Sequence, residues 1–252
     1  MESLETLILS GCSNLRKLPE IDGKMERLKT LNLCCCYKVE TLPESLQQIE
    51  SLEELDFSKT ALTKPPSFIF QFRNLKVLSF NGCKASSSKL RQNLSSLLKV
   101  IQRGRTNSMA PMLPSTSLLS LSSLRELNLR DCNLLHITSQ ISCLPSLEDL
   151  DLNGNSFDTI PLSLALLSKL QSLRLKDCRE LKSLPELPTN IESVNVNGCA
   201  SLELVANPSK VCNSVDWADL RCIHCYRLAE NINVSTLLKR HLKVDLSDLR
   251  FS

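Results

Sequence analysis

Aliphatic residues return along the chain at i, i+3 and i+5, and three residues later a cysteine or another small polar residue follows. The first units read Leu4, Leu7, Leu9, Cys12; Leu28, Leu31, Leu33, Cys36; and Leu52, Leu55, Phe57, Thr60, with a 24-residue period. Leu75, Leu78, Phe80, Cys83 and Leu124, Leu127, Leu129, Cys132 continue the series. Leu147, Leu150, Leu152, Asn155, then Leu170, Leu173, Leu175, Cys178, and finally Ile191, Val194, Val196, Cys199 complete eight units. Alternation around the central aliphatic predicts a short strand with one face inward, closed by a corner whose side chain satisfies departing backbone groups.

A unit this small cannot bury its own aliphatic side chains, so the units must stack, each shielding its neighbours. The spacing is that of a leucine-rich repeat. The expected fold is an α/β solenoid: a leucine-rich-repeat horseshoe with a parallel concave β-sheet, a short helical or irregular convex side, and a truncated C-terminal extension. Residues 1–206 form the predicted solenoid, with an irregular insert at about 84–123, and 207–252 an incomplete post-repeat segment.

Six cysteines share the corner position, at one strand spacing from unit to unit, and read as a ladder of small buried thiols. Free thiols imply a reducing compartment. Gly11, Gly82, Gly154 and Gly198 each precede a corner residue and serve the turn. The phrase Leu-x-x-Leu-Pro at Leu15–Pro19, Val39–Pro43 and Leu181–Pro185 brings proline to the outer side, where it favours short turns over helix interiors. Pro185 and Pro188 shorten the return path, so Ile191 follows Leu170 after only 21 residues.

Leu75 and Leu124 stand 49 residues apart, about two periods, which predicts a degenerate repeat within 84–123. Lys84, Lys89, Arg91, Lys99, Arg103 and Arg105 give this segment +6 with no acidic residue, against +3 for the whole chain, leaving −3 elsewhere. Leu90, Leu94, Leu97, Leu98 and Ile101 fall on one helical face, expected to pack on the convex side rather than on a membrane. Beyond Ala206 the leucine spacing stops. Cys222, His224 and Cys225, with Cys212 or His241, have zinc-ligand chemistry but no second ligand pair at recognisable spacing, so no metal is expected.

The residues between the inward aliphatics face the concave side in three columns. Glu54, Asp56, Glu126, Asn128, Arg130, Asp149, Asp151, Asn153, Arg174 and Lys176 are the candidate partner-binding residues, because Asp149 and Asp151 adjoin Arg174 and Lys176 on the next strand. A sharp sign change of this kind suits charge matching with a protein. The overall charge argues for no nucleic acid. The remaining glycines, Gly23 and Gly104, begin no phosphate-cradling loop, and the three histidines join no nucleophile or carboxylate pair, so neither cofactor, small-molecule substrate nor catalysis is expected. The N-terminus carries acids where an export signal carries basic residues, and the sequons at Asn93 and Asn233 need export to matter.

"LRELNLRDCNL", "LEDLDLNGNSFDTIPLSLALLSKLQSLRLKDC" and "LPELPTNIESVNVNGCASLELV" resemble the C-terminal leucine-rich repeats of plant Toll/interleukin-receptor-type nucleotide-binding immune receptors. "CIHCYRLAEN" resembles the start of that family's post-repeat jelly-roll domain. The resemblance implies a cytoplasmic or nuclear pathogen sensor whose partner is a pathogen effector or the receptor's own nucleotide-binding module. It implies that the family's NAD-cleaving activity resides in an N-terminal domain absent from this chain, which reads as a fragment or truncated relative. The rival readings are a leucine-rich-repeat substrate adaptor and an extracellular receptor ectodomain.

Overall fold

A computed structural model describes residues 3–21, 25–62, 66–83, 121–206 and 219–230. The predicted strands form where the alternation places them: β1 Thr6–Ile8, β2 Thr30–Asn32, β3 Glu54–Asp56, β4 Val77–Ser79, β5 Glu126–Asn128, β6 Asp149–Asp151 and β7 Ser172–Arg174. They continue with β8 Ser183–Leu184, β9 Ser193–Asn195, β10 Leu204–Val205 and β11 Asp219–Arg221. Among the described residues the main sheet has nine parallel strands in the order β1-β2-β3-β4-β5-β6-β7-β9-β11, each in register with the next. Leu7, Leu31, Leu55, Leu78, Leu127, Leu150, Leu173, Val194 and Leu220 therefore form one inward row. Every internal member of that row is at most 4% exposed, and β1, flanked on one side only, keeps Leu7 partly open.

β4 pairs directly with β5, Leu78 opposite Leu127, so these two strands are neighbours in the sheet. The degenerate repeat and the helix expected within the insert lie outside the described residues. One expectation fails: the repeat spacing does not stop at Ala206. In "WADLRCIHC", Leu220 takes the central inward position, Cys222 packs against the core at the third and Cys225 is the buried corner, so a ninth unit stacks on the eighth. Leucine counting missed it because the third inward position is held by Cys222.

The convex return paths follow proline. Three-residue-per-turn helical segments span Glu44–Gln48, Ser67–Gln71, Ser139–Cys143 and Leu162–Leu166, and Pro43, Pro66 and Pro161 stand immediately before three of them. Leu46, Ile69, Ile141 and Leu164 point inward from these turns. The 21-residue unit has no room for one. Its Leu-Pro phrase runs extended, and β8 pairs in parallel with β10 to make a second, two-stranded sheet.

The corner ladder is a hydrogen-bond ladder. From Cys36 onward each corner thiol donates to the carbonyl of the third inward residue one unit earlier: Cys36 to Leu9 (3.1 Å), Cys83 to Phe57 (3.0 Å), Cys132 to Phe80 (3.1 Å), Cys178 to Leu152 (3.3 Å), Cys199 to Leu175 (3.1 Å) and Cys225 to Val196 (3.1 Å). Cys12, in the first unit, is exposed. Asn155 fills the same rung with its amide, which donates to Leu129 (2.9 Å) and Leu152 (2.8 Å) while its oxygen accepts the Leu134 N–H. Thr60 is too short to cross and donates to Phe57 of its own unit (2.8 Å). Burial pushes the Cys178 thiol up to about 12 and the Cys132 and Cys199 thiols well above the ordinary range, so these sulfurs stay protonated donors.

The residue before the corner turns left-handed in all nine units. Gly11, Gly82, Gly154 and Gly198 do so without strain, but Cys35, Lys59, Asp131, Asp177 and His224 adopt the same φ of 54° to 62°. The turn aims the amide at the next unit, as in Gly82 N–H to Arg130 O and Asp131 N–H to Asn153 O, both 2.8 Å.

Leu150 is fully buried in the inward row, so Leu150→Ala should cost about 2–5 kcal/mol and raise protease sensitivity in β5 and β7. Denaturant melting and limited proteolysis read this; an unchanged midpoint contradicts the stack. Asn155→Ala strips one side chain that closes two carbonyls and an amide, each worth about 1–3 kcal/mol when left buried. It should destabilise more than Cys178→Ala, which opens one rung, and paired melts give the order.

Candidate functional site

The register fixes three columns on the concave face. The first runs Thr6, Thr30, Glu54, Val77, Glu126, Asp149, Ser172, Ser193 and Asp219, and the second Ile8, Asn32, Asp56, Ser79, Asn128, Asp151, Arg174, Asn195 and Arg221. The third leaves the strands: Ser10, Cys34, Ser58, Asn81, Arg130, Asn153, Lys176, Asn197 and Ile223. All ten sequence-predicted residues lie on this surface. Glu54 and Asp56 stand together on β3, three strands from Asp149 and Asp151; the other eight are contiguous on β5 to β7 and just beyond.

The ten are not chemically equivalent. In the second column the side-chain oxygen of Asn32, Asp56, Asn128, Asp151 and Asn195 accepts the N–H two residues ahead, at 2.8–3.1 Å. These are Asx turns that end the strands, a structural duty that only a short side chain with a forward-reaching oxygen performs. Asn153 does similar work between units, accepting the Lys176 N–H at 2.6 Å, as Asn197 accepts the Ile223 N–H at 2.8 Å. Asp56, Asn128, Asp151 and Asn153 therefore hold the sheet, and Asp151 and Asn153 are buried.

The charge boundary closes on itself first. The Arg174 guanidinium donates to both oxygens of Asp149, at 2.7 and 2.6 Å, and stands 4.0 Å from Asp151. Burial raises the Asp151 carboxyl above its ordinary value; the Asn153 amide and then the Arg174 and Arg130 charges offset this only in part. Glu54 accepts the Thr30 hydroxyl at 3.2 Å, and Arg130 leans on Asp131 at 3.3 Å. The exposed charged candidates are Glu54, Glu126, Arg130, Arg174 and Lys176.

Sequence reasoning missed two features here. Arg221 and Ile223 extend the face by one unit, signalled by the Cys-x-x-Cys that closes it in the same left-handed turn. The second is an open groove of about 450 Å³ beside the strand ends, lined by Tyr37, Lys59, Thr60, Ala61, Asn81, Gly82 and Asp131. No single unit contributes enough of it to mark the sequence. Of the residues with zinc-ligand chemistry, Cys225 donates to the Val196 carbonyl, Cys222 packs against the core and the His224 ring lies 6.0 Å from that of Tyr226; Cys212 and His241 lie outside the described residues. Among the described residues no helix is long and apolar enough to cross a membrane.

A family model described as disease resistance protein RPS4B-like, leucine-rich repeats, matches residues 1–230. TMV resistance protein N of Nicotiana glutinosa is 33% identical over 207 residues, 81% of this chain and 14% of that protein. Disease resistance-like protein DSC1 of Arabidopsis thaliana is 30% identical over 248 residues, 98% of this chain and 17% of that protein. The chain thus spans less than a fifth of the length of these relatives. Among solved structures, the leucine-rich repeat domain of the type III effector XCV3220 (XopL) superposes with a TM-score of 0.61 at 17% identity, over 87% of this chain and 76% of that one, a likeness of fold.

The buried Asp151 charge is unfavourable once ionised: a raised folded-state pKa contributes stability below the ordinary aspartate range and loses it as pH rises through the folded value. Asp151→Asn keeps the acceptor for Asn153, as Asn32, Asn128 and Asn195 do, and removes the charge. The variant should melt higher than the parent at neutral pH, with the gap closing in acid. A gap that widens in acid reverses the sign of the argument.

Proposed function

The chain belongs to the leucine-rich repeats of the RPS4B-like disease resistance family, and from that membership we propose that it is the protein-recognition module of a plant intracellular immune receptor. Its concave face docks a protein by charge matching: a pathogen effector when one is present, and the receptor's own nucleotide-binding module at rest. Exchange between the two relieves autoinhibition. Any NAD-cleaving step belongs to a different domain of such a receptor, and this region supplies binding alone.

One observation carries the reading. Glu126 on β5 and Arg174 on β7 flank Asp149 on β6 in a continuous sheet, with Arg130 and Lys176 just beyond the ends of β5 and β7, and the sign of charge changes from Glu126 and Asp149 to Arg174 across two strand spacings. The Arg174–Asp149 pair does not remove Arg174 from use. Its side chains are 45% and 25% exposed, and an exposed pair is worth about 0–1 kcal/mol, so a partner's carboxylate displaces Asp149 at small cost. Charge complementarity of this kind mainly sets encounter rate and register.

Titration calorimetry against the nucleotide-binding module of an RPS4B-like receptor tests the resting contact. Arg174→Glu combined with Lys176→Glu should weaken binding about tenfold or more, with a steeper loss at low salt and an unchanged melting temperature. Lys169→Glu, an exposed cation next to the inward Leu170, is the control. Equal loss from the control, or none from the pair, removes the concave charge boundary from the docking surface.

A further inference from the structure

At the N-terminal end of the concave face, Cys34 and Cys35 are adjacent in sequence and their sulfurs are 3.4 Å apart, neither of them a corner rung. Cys34 occupies the third concave column and Cys35 the left-handed position at φ 62°. Both are partly exposed. Tyr37 and Lys59 stand close enough to the Cys35 thiol to lower its pKa, and those same two side chains line the 450 Å³ groove. A backbone turn used in all nine units thus places a thiol here beside a cation and an open, polar-walled groove.

We propose that Cys34 and Cys35 form a thiol–disulfide exchange site for a low-molecular-weight disulfide, one arm of which lies in the groove between Tyr37 and Lys59. Cys35 is the attacking thiol and Cys34 the resolving one.

The two environments differ in the required direction. Hydrogen bonds from Tyr37 and Cys34, with the Lys59 charge adding, lower the Cys35 pKa against slight burial and the Asp56 charge. Burial first, then the Cys35 hydrogen bond and the Asp56 charge, push Cys34 up to about 11, with the Ser10 hydroxyl opposing. The thiolate therefore collects on Cys35, and Cys34 stays protonated until attacked sulfur lies beside it.

The Cys35 thiolate attacks one sulfur of the disulfide RSSR, forming Cys35 Sγ–SR and expelling RS⁻, which takes a proton. The Cys34 thiol then gives up its proton and attacks Cys35 Sγ, forming the Sγ–Sγ bond and expelling a second RS⁻, protonated in turn. Two protein thiols are oxidised and one RSSR is reduced to two RSH. Adjacent Cα atoms across a trans peptide are about 3.8 Å apart, short of the about 4.4–6.8 Å usual for a disulfide. The ring is strained, and a strained, exposed disulfide is readily reduced. The site is reversible, and either oxidised form alters the surface next to Asn32 and Asp56.

The test treats the reduced 252-residue chain with glutathione disulfide near neutral pH, followed by intact-mass measurement and peptide mapping. The expected result is one glutathionyl group on Cys35 or loss of two hydrogens across Cys34 and Cys35, both reversed by reduced glutathione. Cys34→Ser should accumulate the mixed disulfide on Cys35, and Cys35→Ser should lose both products. Thermal melts of the variants guard against unfolding, and the Cys34→Ser adduct discriminates even if Cys35→Ser fails to fold. Exposed Cys12 and partly exposed Cys143 serve as internal references. Adducts spread evenly over Cys12, Cys143 and Cys35, retention of the products in folded Cys35→Ser, or modification by hydrogen peroxide but not by glutathione disulfide each overturn the proposal.

Discussion

In a parallel stack of short turns, the carbonyl at the end of each strand faces the following unit as the chain leaves the sheet, and a buried acceptor must be satisfied there. The corner side chain meets that need. A thiol is small enough to sit in the core, apolar enough to belong there, and able to donate one weak hydrogen bond across the strand spacing. The same carbonyl also accepts the corner amide of its own unit, as in Cys12 N–H to Leu9 O at 3.1 Å. Sheet register, inward leucines and left-handed turns all follow from closing this joint the same way each time.

Substitutions at the joint show what it tolerates. Asn155 makes more hydrogen bonds than any thiol there, consistent with a site that rewards donors of the right reach. Thr60 folds back on the Phe57 carbonyl of its own unit, and Cys83 from the next unit shares that acceptor, so the ladder skips one rung without losing register. The left-handed residue beside the corner is more permissive: glycine, cysteine, lysine, aspartate and histidine all occur, at a cost of roughly 1–2 kcal/mol for residues with a β-carbon, recovered from the hydrogen bond the turn delivers to the adjoining unit.

This explains which parts of the fold could be read in advance. Where leucine, alternation and corner coincide, strand position and register were legible to the residue, since a single slip would expose the inward row. The ninth unit was not legible by counting leucines, because the physical requirement is an apolar side chain and a corner donor, which Leu220, Cys222 and Cys225 meet under other names. The insert shows the opposite limit: its length matches two periods, yet β4 and β5 on either side of it are direct neighbours in the sheet.

The concave face was legible as geometry but only partly as chemistry. Alternation identifies which side chains face outward; it cannot tell an aspartate that caps a strand from one that waits for a partner. Asp56, Asn128 and Asp151 occupy a column whose oxygens already hold backbone amides, so their charges are tied to the fold. Glu126, Arg130 and Lys176 lie where side chains can change without opening a turn. Leucine row, corner and Asx column hold the sheet, joined by Asn153 and Asn197 of the third column, and the other side chains of the first and third columns can change without opening a turn. Arg174 crosses that division. Like Ile8 and Arg221 it stands in the Asx column with no side-chain oxygen to perform the Asx duty, and its guanidinium instead spans from β7 to Asp149 on β6, so a position released from the strand-ending role sets the charge boundary.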